Sequence, residues 1–168
     1  MLTPDSEMST PTLINYIQER FLQAHRQEMP ELVRLARKVE TKHADDIDAP
    51  HGLTQALQSV ARHLEPHIHE EEAVVFLALN EGKLGQMRET FARLRNDHAE
   101  QETALNRIAA MTHGFRLPRT ACKSWRSLYA GLGKLAEDLD EHRYLENEVL
   151  FPRFEKALQS PGQETSRR

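Results

Sequence analysis

The sequence predicts an all-α protein, an antiparallel up-down-up-down bundle of four helices, and two observations predict it. Apolar residues recur at alternating steps of three and four along four long segments, which is the spacing of one helix face. Short connections that contain glycine or proline separate these segments, so neighbouring helices should run antiparallel. With 168 residues, the chain is long enough to bury one core as a single domain.

The spacing of apolar residues and helix breakers predicts the bounds of the four helices. The first is expected to begin near Pro11–Thr12, and the helices are predicted at residues 12–44, 53–79, 84–111 and 119–158. Helix breakers lie inside them and should kink or interrupt them, namely Pro30, Pro66, Gly131–Gly133 and Pro152. The bundle therefore occupies residues 12–159, and the polar ends at residues 1–11 and 160–168 are predicted to be disordered.

Histidine and glutamate are spaced in this chain as metal ligands on a helix would be. Three of the nine histidines are followed four residues later by glutamate, where chance gives about one such pair. Residues four apart lie on the same helix face, about 5–6 Å from each other. Imidazole and carboxylate together suit borderline divalent metals, iron among them. The pairs are His67/Glu71, His98/Glu102 and His142/Glu146.

Two of these pairs stand where core residues are expected. The inward lines run Leu64, His67, Glu71, Val74 on the second helix and Leu139, His142, Glu146, Val149 on the fourth. A histidine and a carboxylate buried in a core are costly unless they are paired or bound to a metal. The sequence therefore predicts a metal site inside the bundle.

The first and third helices each add one histidine to their apolar lines. His98 follows Leu84, Met87, Phe91 and Leu94, whereas Glu102 lies beside that line and is interpreted as a surface residue. His25 follows Phe21 on the first helix. Counted from the loop that joins them, His25 and His67 both lie roughly 20–29 Å along their helices, so they can share a layer.

Several longer segments resemble one known family. They are HRQEMPEL from His25, KVETKH from Lys38, ACKSWRSLYAG from Ala121 and LENEVLFPR from Leu145. Together they resemble the hemerythrin-like di-iron proteins called repair of iron centres (RIC) proteins, and the resemblance runs from about Tyr16 to Phe154. Cys122 and Trp125 belong to these segments, although a core cysteine and a packing tryptophan are the plainer interpretation.

The resemblance implies a fold, a cofactor and a function. The family's four-helix bundle holds two iron ions bridged by oxygen and by two glutamates. This assigns bridging roles to Glu71 and Glu146, and terminal roles to His67, His98 and His142. It also implies a part in repairing iron–sulfur clusters damaged by oxidants or nitric oxide, with O2 or NO as small ligands and iron–sulfur proteins as partners.

Two departures from the family pattern stand out. On the first helix the family has a His-x-x-His-Arg segment whose first histidine is a ligand, and Leu22 occupies that position here. Either His25 takes over as a ligand or one iron keeps an open position, and His63 is a further candidate. In addition, fuller family members carry an N-terminal domain with cysteines, and this chain begins without it.

Other sites and functions compete with this interpretation. A ferritin-type centre uses two Glu-x-x-His motifs, and only Glu40/His43 has that form. Four histidines and two carboxylates are too many ligands for one zinc ion. The alternative functions are a hemerythrin-like carrier or sensor that binds O2 or NO without repair, and a metal-free bundle that acts through protein contacts.

The composition indicates which partners and which cellular compartment to expect. The net charge of −4, with acidic and basic residues interspersed, argues against nucleic acid. The longest apolar run, Ala73–Leu79, is far short of the roughly 20 residues that cross a membrane. Cys122 is the single cysteine and cannot form an internal disulfide, and the N-terminus does not look like a secretory signal. Cytoplasm is the expected location.

Overall fold

The computed structural model of the chain describes residues 7–85 and 87–159. The disorder predicted for residues 1–6 and 160–168 therefore lies outside the described residues. Within them the fold is all-α, and the predicted four-helix bundle is confirmed. The helices pack in a closed ring, the first on the second and fourth and the third on the second and fourth.

Three of the four helices consist of consecutive segments with a π-helical turn between them. The first comprises Thr10–Ile17, the π segment Gln18–Leu22 and Gln23–Lys42. The second comprises Leu53–Glu70, the π segment Glu71–Phe76 and Leu77–Glu81. The third is Met87–Met111. The fourth comprises Lys123–Tyr144, the π segment Leu145–Leu150 and Phe151–Gln159.

Local sequence explains where these helices begin and end. The Ser9 side chain accepts a hydrogen bond from the Thr12 backbone N–H, so the first helix begins at Thr10, slightly before the predicted Pro11–Thr12. Gly52 adopts a left-handed conformation just before the second helix, and Gly82 does so just after it. Glycine populates that conformation without steric cost, so both residues mark sharp turns.

The breaks expected at proline and glycine do not occur, whereas the bends expected at Pro30 and Pro66 remain predictions. The first helix continues through Pro30, the second through Pro66 and the fourth through Gly131–Gly133. Pro152 also lies inside a helical segment. The irregular turns occur in the three π segments instead. Packing of the helices in the bundle outweighs the local preference of proline and glycine.

The predicted apolar lines fail just beyond the two glutamates. Val74 is 47% exposed, and Val75 and Phe76 are buried instead. Val149 is only half-buried, whereas Leu150 is fully buried. A π turn adds a residue to the helical turn, so the inward position moves on by one. Leu84 was also placed in a helix, yet the third helix begins at Met87.

The core extends along the whole bundle on both sides of the polar layer. It includes the fully buried aromatic residues Phe21, Phe76, Phe91, Trp125 and Phe151. None of the helices in residues 7–85 and 87–159 combines the length and the apolar character that crossing a bilayer requires.

Gly131 allows a close approach between the first and fourth helices. A Cβ atom there would lie 2.6 Å from Leu32 Cδ2, whereas at Gly133 the nearest atom would be 4.0 Å away. Gly133→Ala should raise the free energy of unfolding by up to about 1 kcal/mol through helix propensity. Gly131→Ala should lose that gain and cost about 1–3 kcal/mol through overpacking. Urea unfolding of both variants measures the difference, and equal stabilisation by both would contradict the close contact.

Candidate metal centre

Six polar side chains from all four helices are buried at one level of the bundle. His67 and Glu71 come from the second helix, His98 from the third, and His142 and Glu146 from the fourth. His25 joins them from the first. None of the six is more than 3% exposed. The structure therefore brings together all the residues that the sequence predicted as metal ligands, and their role as ligands remains a prediction.

The two carboxylates stand among three imidazoles. His67 Nε2 lies 2.7 Å from Glu71 Oε1, and His142 Nε2 lies 2.6 Å from Glu146 Oε1. The contacts also cross between pairs, because His98 Nε2 lies 3.5 Å from Glu71 and 3.2 Å from Glu146. His142 Nε2 is 3.4 Å from Glu71 Oε2. Each carboxylate therefore touches more than one imidazole.

These separations suit donors to a common ion. Ligand atoms from His67, Glu71, His98 and Glu146 all lie within 4.8 Å of one another. Two donors bound at about 2.1 Å and at right angles to one first-row metal ion would stand about 3 Å apart. The cluster therefore needs little rearrangement to hold a cation.

Two further residues orient the imidazoles, and sequence reasoning missed both. His67 Nδ1 donates to Asp97 Oδ2 at 3.1 Å, and His98 Nδ1 donates to Asn147 Oδ1 at 2.8 Å. Each bond fixes the tautomer that leaves the Nε2 lone pair facing the cluster. The available signal was adjacency, since Asp97 precedes His98 and Asn147 follows Glu146.

Within residues 7–85 and 87–159, the polar atoms that face the cluster have no well-formed hydrogen bond. The buried atoms without such a partner include Nε2 of His67, His98 and His142, and both carboxylate oxygens of Glu71 and Glu146. Leaving such atoms unpaired in a core costs about 1–3 kcal/mol each, and more for charged groups. A bound cation would satisfy all of them at once, so the donor set fits a metal site.

The protonation of each group in the cluster depends on the charge of its neighbours. Burial opposes protonation of the imidazoles, but the carboxylates of Glu146 and Glu71 outweigh it and raise the pKa of His142 to about 10. The close contacts of His98 with Glu146 and Glu71 likewise overcome burial and raise its pKa to about 9. Burial would raise the pKa of Glu71, yet its contact with the Glu146 side chain and the charge of His67 hold it well below its usual range. The two carboxylates therefore demand positive charge beside them.

His25 contacts the ring of His142 and lies further from the two carboxylates than the other histidines. Its ring centroid is 5.6 Å from that of His142, and both rings lie beside Phe21. Neither of its nitrogens has a hydrogen-bond partner in the part of the chain that the structure describes. Burial, and then the charge of His142, lower the pKa of His25 to about 3, so the ring is neutral. Leu22 is also fully buried, because the π segment Gln18–Leu22 turns both Phe21 and Leu22 inward.

The remaining histidines are distant or exposed. His63 is exposed, and its Nδ1 donates to the Ser59 carbonyl oxygen at 2.8 Å, so the structure does not bring it into the cluster. His43 packs on Trp125 at the other end of the bundle, with ring centroids 4.9 Å apart. Glu102 is exposed and lies 3.8 Å from Arg143, as its position beside the apolar line indicated.

A buried layer of histidines and glutamates inside an antiparallel four-helix bundle defines a metal-binding helical protein without haem. Comparison with known families agrees. The profile of the hemerythrin HHE cation-binding domain matches residues 17–154. The chain belongs to the hemerythrin family, whose site is one for non-haem iron.

Curated relatives carry a more specific description. The chain is 36% identical to an iron-sulfur cluster repair protein YtfE of Pectobacterium carotovorum subsp. carotovorum (strain PC1) and 37% to that of Musicola paradisiaca (strain Ech703). It is 36% identical to the protein of the same name from Escherichia coli O1:K1 / APEC. Each match covers 84% of this chain and 64% of the relative's length. The resemblance to iron-centre repair proteins is confirmed.

The protein stripped of metal should lose stability as pH rises from 6.5 to about 10. The raised pKa values of His98 and His142 stabilise the fold fully below the unfolded value of 6.5, and this contribution disappears as pH passes through about 9 and 10. Urea unfolding across this range measures it. The metal-loaded protein is the control, because a bound cation replaces these protons. An equal decline with and without metal would contradict the assignment.

Proposed function

We propose that this protein is a cytoplasmic non-haem di-iron protein that acts in the repair of iron–sulfur clusters damaged by oxidants or nitric oxide. The single observation that carries the proposal is the buried set of imidazole and carboxylate atoms that have no well-formed hydrogen bond among the described residues. Similarity to relatives described as iron-sulfur cluster repair proteins supplies the biological direction. The single cysteine, which cannot form an internal disulfide, supports a cytoplasmic location.

The donor set supports two ions rather than one. Glu71 offers one oxygen beside His67 and the other beside His142. Glu146 stands beside both His98 and His142. We therefore assign bridging roles to Glu71 and Glu146, and terminal roles to His67, His98 and His142. His25 completes the set from the first helix, where a short movement past His142 would bring its lone pair to the centre.

The chain's own residues position and isolate this centre. Iron held there supplies electron transfer and a position for a small ligand such as O2 or NO. Asp97 and Asn147 keep the rings of His67 and His98 aimed inward. Phe21 stacks on His142, and Phe151 stacks on His98, so apolar rings exclude water from two sides. The partners we propose for repair are iron–sulfur proteins with damaged clusters.

Glu71→Ala and Glu146→Ala should each remove iron and abolish repair, because each deletes a carboxylate that contacts at least two imidazoles. Glu102→Ala is the matched control, since it removes an exposed glutamate that also follows a histidine by four residues. Elemental analysis measures the iron. Reactivation of a dehydratase whose [4Fe–4S] cluster has been oxidised measures the repair, against an equal amount of free Fe(II).

The outcomes separate the proposal from its alternatives. Equal iron retention in all three variants would contradict the assigned bridges. Iron-loaded wild-type protein that reactivates the dehydratase no faster than free Fe(II) would contradict repair. If that protein still bound NO or O2, the result would favour a carrier or sensor.

His25→Leu should lower the iron content or shift the absorption spectrum of the iron-loaded protein, because it removes a neutral imidazole with two unpaired nitrogens beside the centre. A leucine fills similar volume, and its apolar neighbours Phe21 and Met29 should accept it. His63→Leu is the control, because His63 is exposed. An unchanged spectrum in His25→Leu would show that the first helix contributes no ligand and leaves an open coordination position.

A further inference from the structure

The donors of the metal centre are sealed from solvent, so a cation needs a route through the protein to reach them. None of the proposed ligands is more than 3% exposed. The bundle is closed by contacts between all neighbouring helices. The route must therefore begin where a proposed ligand also lines a surface cavity.

A groove between the second and third helices meets this condition. It has a volume of about 350 Å³ and runs along the outside of His67. Its lining includes six residues with ionisable side chains, namely Arg62, His63, His67, Glu70, Asp97 and Glu100. His67 therefore lies between the groove and the metal centre. Its Nδ1 faces Asp97 in the groove, and its Nε2 faces Glu71 in the centre.

We propose that this groove is the port through which a divalent metal cation enters and leaves the buried centre. The inference rests on the proposed function, because it assumes that the centre holds iron. The cation is gathered by the carboxylates of the groove and passed inward at His67. Rotation of the His67 ring, once its bond to Asp97 opens, connects the two spaces.

The charge of the groove favours a cation. Three carboxylates line it, from Glu70, Asp97 and Glu100, against one guanidinium, from Arg62. Glu70 is paired with Arg93, whereas Glu100 is exposed and accepts a hydrogen bond from the amide of Asn96 at 3.3 Å. Because carboxylates outnumber guanidinium groups in its lining, the groove should raise the local concentration of cations and their association rate.

The histidines of the groove provide softer donors on the way in. His63 donates from Nδ1 to the Ser59 carbonyl oxygen, so its Nε2 keeps a lone pair for a cation. It stands one turn before His67 on the same helix. A cation can therefore move from carboxylate oxygens to imidazole nitrogens, which a borderline metal such as Fe(II) prefers. This gives the exposed His63 a transfer role rather than a role in the centre.

The cavity between the first and second helices does not suit a cation. It lies beside His25, has a volume of about 170 Å³, and is lined by apolar residues such as Met29, Leu64 and Ile68. Its charged members are Arg26 and Glu65, and Arg26 bonds both Glu65 and Glu72. The guanidinium would repel a cation, and the carboxylates are already used.

The test follows Fe(II) uptake by the full chain. Metal-stripped protein is mixed anaerobically with Fe(II) at low ionic strength, and the rate of uptake and the final iron content are both measured. Glu100→Lys reverses a charge in the groove, and Glu102→Lys, two residues along the same helix but outside the groove, is the matched control. Ala104→Phe obstructs the groove, and the exposed Ala110→Phe is its control.

The proposal expects Glu100→Lys to slow uptake at least about threefold at unchanged final iron content, with a smaller effect at high salt, where the field is screened. Ala104→Phe should slow both uptake and removal by a chelator, and the two controls should match the wild type. Wild-type rates in Glu100→Lys and Ala104→Phe, at normal iron content, would overturn the port alone. A wild-type protein that takes up no iron would overturn the proposed function as well.

Discussion

The structure depends on one electrostatic constraint, the burial of two carboxylates inside a helical core. Glu71 and Glu146 are fully buried, and their oxygens have no well-formed hydrogen bond among the described residues. An isolated buried carboxylate costs far more than a domain's net stability can tolerate, so positive charge must lie beside it. Without metal, protonated imidazoles provide that charge, as the raised pKa values of His98 and His142 show. A cation in the same place would satisfy both the carboxylates and the imidazole lone pairs. We therefore interpret the layer as a metal centre.

Three π segments adapt the helices to this layer. One ends at Leu22, just before His25, another begins at Glu71, and the third contains Glu146. A π turn is rare, and where it occurs inside an α-helix it is frequently at a functional site. Here it changes the inward register on one side of each polar residue, so that core packing continues while the polar side chain still faces the centre. The exposed Val74 and buried Val75 record that change on the second helix.

The sequence was a good guide to whatever depends on helical periodicity. The four helices and the inward positions of His25, His67, His98 and His142 follow from regular three- and four-residue spacing, and the glutamates four residues on follow from the same geometry. Periodicity could not reveal the π segments, because they break the spacing that it assumes. Nor could it find Asp97 and Asn147, because they contact histidines of other helices, and such pairs are fixed by packing across the bundle. The proline and glycine breaks failed for a similar reason, since helix contacts outweigh local preference.

The central claim is that Glu71 and Glu146 hold two iron ions between them. Anomalous diffraction from crystals of the iron-loaded protein, collected on both sides of the iron absorption edge, tests it directly because it locates iron without relying on activity. The account predicts two iron peaks inside the bundle, each within bonding distance of both glutamates, with His67, His98 and His142 completing the coordination. A single peak, or peaks at the surface of the groove with none between Glu71 and Glu146, would contradict it.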